Sequence, residues 1–550
     1  MQPLLRFALI LAALPLVGGW KPAGPFGGSA HALAIDPQNR STLLAGARDS
    51  LLFRSDNAGE SWRLLPFPKG APGVFNSVII HPAESGHFYA GLDAGDSRDS
   101  DVYESIDGGE NWTPLPGIRG HRIESLAMWP SGPRVLAAGT SHGVFLSTDG
   151  GENWQKISRE NDPEMQEITA LAFDPVNSKI IYAGTPHLPW KTIDGGATWR
   201  SIHDGLIDDS DIFSIHVNGN HSALVFASAC SGIYRSDNAG DSWRKLIGIP
   251  GTHRRTHILT EDPHAAETVY AGTTLGLFKS ADEGRTWRHL TFEQVNGLVF
   301  DPDDPRTLYL ATENAGVLKS TDAGESVHPI NVGFANHNLT QITGDGKHLY
   351  ASSAYEGQYG GVFVSSDGGL DWTLRANGHA LLGRNLNSLT AAPSKDGWFF
   401  AAAEDAVLRS TDGGKTWIPL ASQPRVALSS RIRIHSLQTV QADKLILLAG
   451  TQAGLFRSVN AGASWTRVTD AVLAGLPVLT LYTTPGNGAH IAARTAFGLF
   501  LSEDVGRTWR AAPLPDNSYY LYDLALPADP AGPLLAATSR GVLQSMDGGS

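Results

Sequence analysis

The chain has 550 residues, 41% of them hydrophobic, and a formal net charge of −13 at pH 7. That length is enough for more than one buried core, and an acidic balance without a basic tract excludes nucleic acid as a main partner. A single cysteine, Cys230, excludes an intramolecular disulfide; its setting in the strand-like string FASACSGIY predicts a small buried apolar side chain.

The N-terminus reads as an export signal over residues 1–19. Arg6 precedes an apolar run from Phe7 to Val17, and Gly18-Gly19 offers small residues before Trp20. Eleven apolar residues are too few to span a bilayer, and no later run approaches the needed length, so no stable membrane span is expected and the predicted location is secreted or periplasmic.

From Ser55 onward one octet, Ser/Thr-x-Asp/Asn-x-Gly-x-x-Trp, organises the chain. Copies open at Ser55, Ser105, Ser147, Thr192, Ser236, Ser280, Ser320, Ser365, Ser410, Ser458, Ser502 and Ser545. The first and last openings lie 490 residues apart over eleven intervals, an average of about 44.5, which is the length of a four-stranded propeller blade. Gly holds the fifth place in all twelve, and only Val327 replaces the closing Trp among the complete copies. The physics of the octet is a self-contained turn. The Asp or Asn accepts backbone N–H bonds, Gly supplies a conformation that a Cβ opposes, and Trp buries a large apolar face. Around each box the sequence alternates strand-like runs such as ITALAFDP, IIYAGT and GVFLS with Asp-Pro and Gly-Gly turns, and no segment keeps a helical period.

The strings SDNAGESW, STDGGENW, SADEGRTW and STDGGKTW resemble the Asp-box (bacterial neuraminidase) repeat families from about residue 20 to the end. That resemblance implies an all-β fold of four-stranded blades, with each box joining third and fourth strands on the face away from ligands. Twelve repeats exceed the four to eight blades of an ordinary ring. Tandem propellers are therefore expected, the first over 20–335 and the second over 336–550, with the second stopping inside its twelfth box. One large ring, as in the similar sortilin-type domains, is the alternative.

If the boxes lie at the bottom, ligands meet the opposite face. Aligning the first strands gives a column of mostly polar residues, among them His31, Asn76, Glu124, His257, Asn387 and His435, which are candidate ligand contacts at the channel mouth. The acidic loop carrying Asp93, Asp96, Asp99 and Asp101 is a candidate Ca²⁺ loop, although it lacks EF-hand spacing. No cofactor is implied. The Tyr355–Gly361 loop and Trp190 add aromatics suited to a sugar surface.

Two function classes follow. Sialidase chemistry is disfavoured, because the nearest string to its early Arg-Ile-Pro motif is Arg431-Ile-Arg433, without the Pro. The two-propeller xyloglucan-active glycosidases resemble the chain in organisation. Their base is an Asp in a string like Ala-Arg-Thr-Asp-x-Gly-Gly, where this chain reads Ala47-Arg48-Asp49-Ser50; Glu356, Glu404 and Asp405 are the candidate partner acids. Loss of the flanking glycines makes the expected function an exported, non-catalytic module that binds or scaffolds a protein or glycan on its top face. A glycoside hydrolase is the alternative.

Overall fold

The computed structural model describes residues 22–549, apart from 69, 161, 208–209, 251–254, 345–346, 354–359, 376–385, 394, 404–405, 426–431, 485–486, 516–519, 528–531 and the side chains of 487–489. Among the described residues there is no helix. Eleven four-stranded sheets and one three-stranded sheet, all antiparallel meanders, follow one another in chain order as blades 1 to 12.

Blade 1 shows how sequence becomes blade. Its strands are Ala30–Ile35, Leu43–Ala47, Leu52–Ser55 and Arg63–Leu64. The second strand, LLAGA, is buried at every position, because its two faces both meet neighbouring blades; this explains unbroken apolar runs where a half-buried strand would alternate. The pattern recurs in LAAGT, LYLAT and FFAAA of blades 3, 7 and 9. In several blades the close approach of the next blade is met by glycine in that strand. A Cβ at Gly184 would lie 2.7 Å from Ile212 Cγ2 and 3.0 Å from Ala170 Cβ.

The boxes are turns between third and fourth strands. In blade 3 the Ser147 hydroxyl donates to Asp149 at 2.8 Å and accepts the Gly151 N–H at 2.8 Å, while Asp149 accepts the Asn153 N–H at 3.0 Å. Left-handed backbone occupies the fourth place as well as the fifth, including Ala58, Glu283 and Val505, a feature the octet did not disclose. Six box tryptophans are buried, Trp154, Trp287, Trp372 and Trp465 are half-buried, and several reach the preceding blade, as Trp199 Nε1 does to Ile157 O at 2.8 Å.

First strands of blades 1 to 7 pack in sequence around a centre, and the strand Val295–Phe300 of blade 7 packs on Ala30–Ile35 of blade 1, which closes a seven-bladed ring. Trp62 Nε1 of blade 1 bonds to Ile330 O, just after blade 7, at 2.7 Å. Blades 8 to 11 form a second row through the same strands, and blade 12 joins blade 11 through Leu521, Leu524 and Leu534 packed on Ala492 and Leu499. The molecule is a tandem β-propeller protein. Between the two arrays Gly27–Gly28 pairs in parallel with Ala335–Asn336.

The structure corrects two expectations. Cys230 is exposed, because it sits at the turn after the strand Val225–Ala229 rather than inside it. Trp190 is a core residue packed with Ile168 and Trp199 and offers no ring to the top face. The proposed signal segment lies outside the described residues, among which no helix is long and apolar enough to cross a membrane.

Candidate functional site at the junction of the propellers

The aligned polar column turns out to be a row of β-bulges. In blades 1, 2, 3, 6, 9 and 10 the register of the first strand shifts around His31, Asn76, Glu124, His257, Asn387 and His435. A bulge turns its extra residue out of the ladder toward the next blade. There, Asn76 Nδ2 donates to Ile123 O at 3.2 Å, Asn296 Nδ2 to Ala30 O at 3.0 Å and Asn387 Nδ2 to Ile434 O at 2.8 Å. These amides stitch blades together at the channel mouth.

His31 and His257 enter a different arrangement, centred on Glu313 in the turn between second and third strands of blade 7. Arg48 pairs with Glu313, and its Nε donates to His31 Nε2 at 3.2 Å. His31 Nε2 stands 3.7 Å from Glu313, and Asn296 Nδ2 donates to the same carboxylate at 3.0 Å. Burial lowers the pKa of both histidines, against the pull of Glu313; Arg48 reinforces the fall for His31, and Arg255 and His31 do so for His257. Neutral imidazoles therefore line this mouth. His257 Nε2 is buried without a hydrogen-bond partner among the described residues. Elsewhere on the rim Glu124 is raised by burial and by Asp93, with Arg122 opposing, and His435 is lowered by burial and Arg433.

Asp49 sits one residue beyond Arg48, exposed, in a turn where Asp49 and Ser50 both adopt left-handed backbone at φ 59° and 57°. Such consecutive non-glycine positions are costly and need external support. Support comes from three directions. Ser50 N donates to Gly73 O at 2.8 Å, Ser50 Oγ donates to Ala71 O at 3.2 Å, and Asn336 Nδ2 donates to Arg48 O at 3.3 Å. Asp49 is thus presented rigidly beside the segment that links the propellers. Glu356, Glu404 and Asp405 lie outside the described residues.

Among the described residues, no three carboxylates of the acidic loop of blade 2 bring oxygens within 4.8 Å of one another. Asp93 caps Gly95 N at 2.8 Å, Asp99 accepts Ala71 N at 2.7 Å and Asp101 turns inward to Val102 N at 2.8 Å. Each carboxylate serves a different backbone group. Sequence reading also passed over Glu313 and Asn336. The one available signal was that Glu313 directly follows the second strand Leu308–Thr312, as Arg48-Asp49 follow Leu43–Ala47.

Twelve such sheets and their boxes make this an Asp-box β-propeller protein, and the BNR/Asp-box repeat profile matches residues 145–156. A xyloglucanase of Paenibacillus sp is 27% identical over 329 residues, 49% of this chain and 32% of that protein. A xyloglucanase of Hypocrea jecorina (strain QM6a) is 24% identical over 351 residues, 54% of this chain and 38% of that protein. The match thus spans between about a third and two fifths of the length of these curated relatives. Among solved structures, the GH74 xyloglucanase from Xanthomonas campestris superposes with a TM-score of 0.76 at 20% identity, covering 96% of this chain and 87% of that one. The Niastella koreensis GH74 enzyme gives 0.72 at 17% identity, over 96% and 85%. Curated relatives named as enzymes overturn the expectation of a non-catalytic binding module.

Proposed function

We propose that this chain is an exported glycoside hydrolase acting on a β-glucan of the xyloglucan type, in a cleft where propellers divided near residues 335 and 336 meet. The sequence match to two xyloglucanases over about half of the chain carries the reading. The site supports it: Asp49 is an exposed carboxylate on a braced turn at that junction. It is the candidate base, and the partner acid is drawn from Glu356, Glu404 or Asp405. An inverting pair needs about 6.5–9.5 Å between carboxyls to admit a water beside the sugar.

The neutral His31 and His257, with Arg48 and Glu313, supply donors and acceptors for sugar hydroxyls at the mouth of the first ring. Exposed rings on the same end of the blades, Phe292 at 76% and Phe497 at 75%, offer apolar faces for pyranose rings.

Purified protein is expected to release reducing sugars from xyloglucan and to leave sialosides intact. Asp49→Asn should cut that rate by at least about 100-fold at an unchanged melting temperature, since the side chain is exposed. Undiminished hydrolysis by Asp49→Asn removes Asp49 from the chemistry, and no release from any β-glucan removes the hydrolase.

A further inference from the structure

On the opposite, box-bearing end of blade 2, the turn between Val74–Ile80 and Phe88–Asp93 carries the string His81-Pro-Ala-Glu84-Ser-Gly-His87. Blades 1, 4 and 7 place an acid here whose carboxylate caps the turn, whereas blades 3, 5 and 9 carry Trp129, Asn218 and Ala392. Asp36 accepts Gln38 N at 2.8 Å, Asp174 accepts Val176 N at 2.9 Å and Asp301 accepts Asp303 N at 2.9 Å. Blade 2 differs from these acid-capped turns at both ends, with His81 in the capping place and His87 where blades 1 and 7 have Thr42 and Thr307. His81 is the poorer cap, taking Ala83 N at only 3.3 Å.

The exchange brings ligating atoms together. One ring nitrogen of each histidine and one carboxylate oxygen of Glu84 all lie within 4.8 Å of one another, the only such group of three or more among the described residues. The imidazoles stack with centroids 4.9 Å apart and planes 8° apart, and the backbone ties His81 N to His87 O at 2.9 Å. His87 is held at both nitrogens: Nδ1 meets Glu84 at 2.9 Å, and Nε2 meets Glu104 at 2.8 Å. A carboxylate on the far nitrogen is the arrangement that fixes the tautomer and orientation of a metal-bound histidine. Glu84 is 64% exposed, so rotation of its side chain can close the remaining distance and leave a fourth position to water.

We propose that His81, Glu84 and His87 form a site for a borderline divalent transition cation such as Zn²⁺, with Glu104 orienting His87. Two imidazoles and one carboxylate favour this class over Ca²⁺ or Mg²⁺, which take oxygen ligands. The site lies at the box end, away from Asp49, and its occupancy clamps the two strands that the turn joins.

The test is calorimetric titration of chelator-stripped full-length protein with ZnCl2, paired with melting curves. One equivalent should bind with a Kd of about 10 μM or tighter and raise the melting temperature. Binding should weaken at least tenfold in His87→Ala and in Glu84→Gln, whose exposed position spares the fold, and about tenfold in Glu104→Gln. His121→Gln, on the other end of blade 3, should bind as the parent does. Absence of saturable binding below about 1 mM overturns the site, as does binding that His87→Ala and Glu84→Gln leave unchanged.

Discussion

At the scale of single residues, the box separates two jobs that its conserved spelling joins. Ser147 is almost fully buried and serves both as donor to Asp149 and as acceptor for Gly151 N–H, so Ser147→Ala leaves a buried amide unpaired. A loss of about 1–3 kcal/mol is expected in denaturant unfolding. Asp149 lies at the surface, and bonds from the Asn153 side chain, the Asn153 backbone and Ser147 hold its carboxyl down at about 2. Asp101 is the opposite case. Burial pushes it up to about 7, despite the Val102 N–H and Arg119, and its Oδ2 has no hydrogen-bond partner among the described residues. Between its ordinary 3.8 and 7 the folded protein keeps a proton that the unfolded chain releases, so this group's contribution to stability falls as pH rises through that window. Asp101→Asn should therefore melt higher than the parent at pH 8 and close to it at pH 4. Equal melting temperatures at both values would show that Asp101 does not titrate in this window.

At the scale of elements, blades are held by what passes between their first two strands. Bulged asparagines reach the neighbouring first strand, and glycine in the second strand lets the next blade's Ile or Val come close, as at Gly91, Gly184 and Gly450. Gly184→Ala drives a methyl into Ile212 and Ala170 while its backbone conformation remains accessible. Overpacking of this kind costs about 1–3 kcal/mol, to be read from the shift in the unfolding midpoint. Gly120, whose added Cβ would meet nothing within 4 Å, lies outside this packing and is no equivalent site.

At the scale of the whole molecule, the top face carries the functional consequence. Asp49 stands beside the linking segment, and Phe292 and Phe497 place exposed rings on the first and second arrays. Under the proposed function, a long polysaccharide running across both arrays has these rings as candidate contacts. Phe292→Ala and Phe497→Ala are each expected to raise KM on xyloglucan about threefold to tenfold, the scale of one lost apolar face, with little change in kcat. Initial-rate kinetics on long and short substrates check this, and the short ones should lose less. A fall in kcat at constant KM would instead place the rings close to the reacting bond.

The twelve boxes, the all-β class and the blade length were legible in the sequence because each box is closed by hydrogen bonds spanning only four residues, from Ser147 to Gly151 or Asp149 to Asn153. Local chemistry of that kind leaves a local spelling. The polar column was legible as a column, but whether Asn76 and Asn387 face a ligand or a neighbouring backbone depends on bulges and on blades some 45 residues away, as the Asn76–Ile123 bond illustrates. The Arg48–Glu313–His31 cluster was out of reach for the same reason: Arg48 and Glu313 stand 265 residues apart and meet only because blade 7 returns to blade 1. Cys230 was misjudged because strand-like letters continue one residue past the strand into its turn. The sequence by itself determined the repeating turn and strand, whose partners are neighbours in the chain. Ring closure, the bracing of Asp49 and the facing of each polar side chain were decided by tertiary structure, because their partners are neighbours only in space.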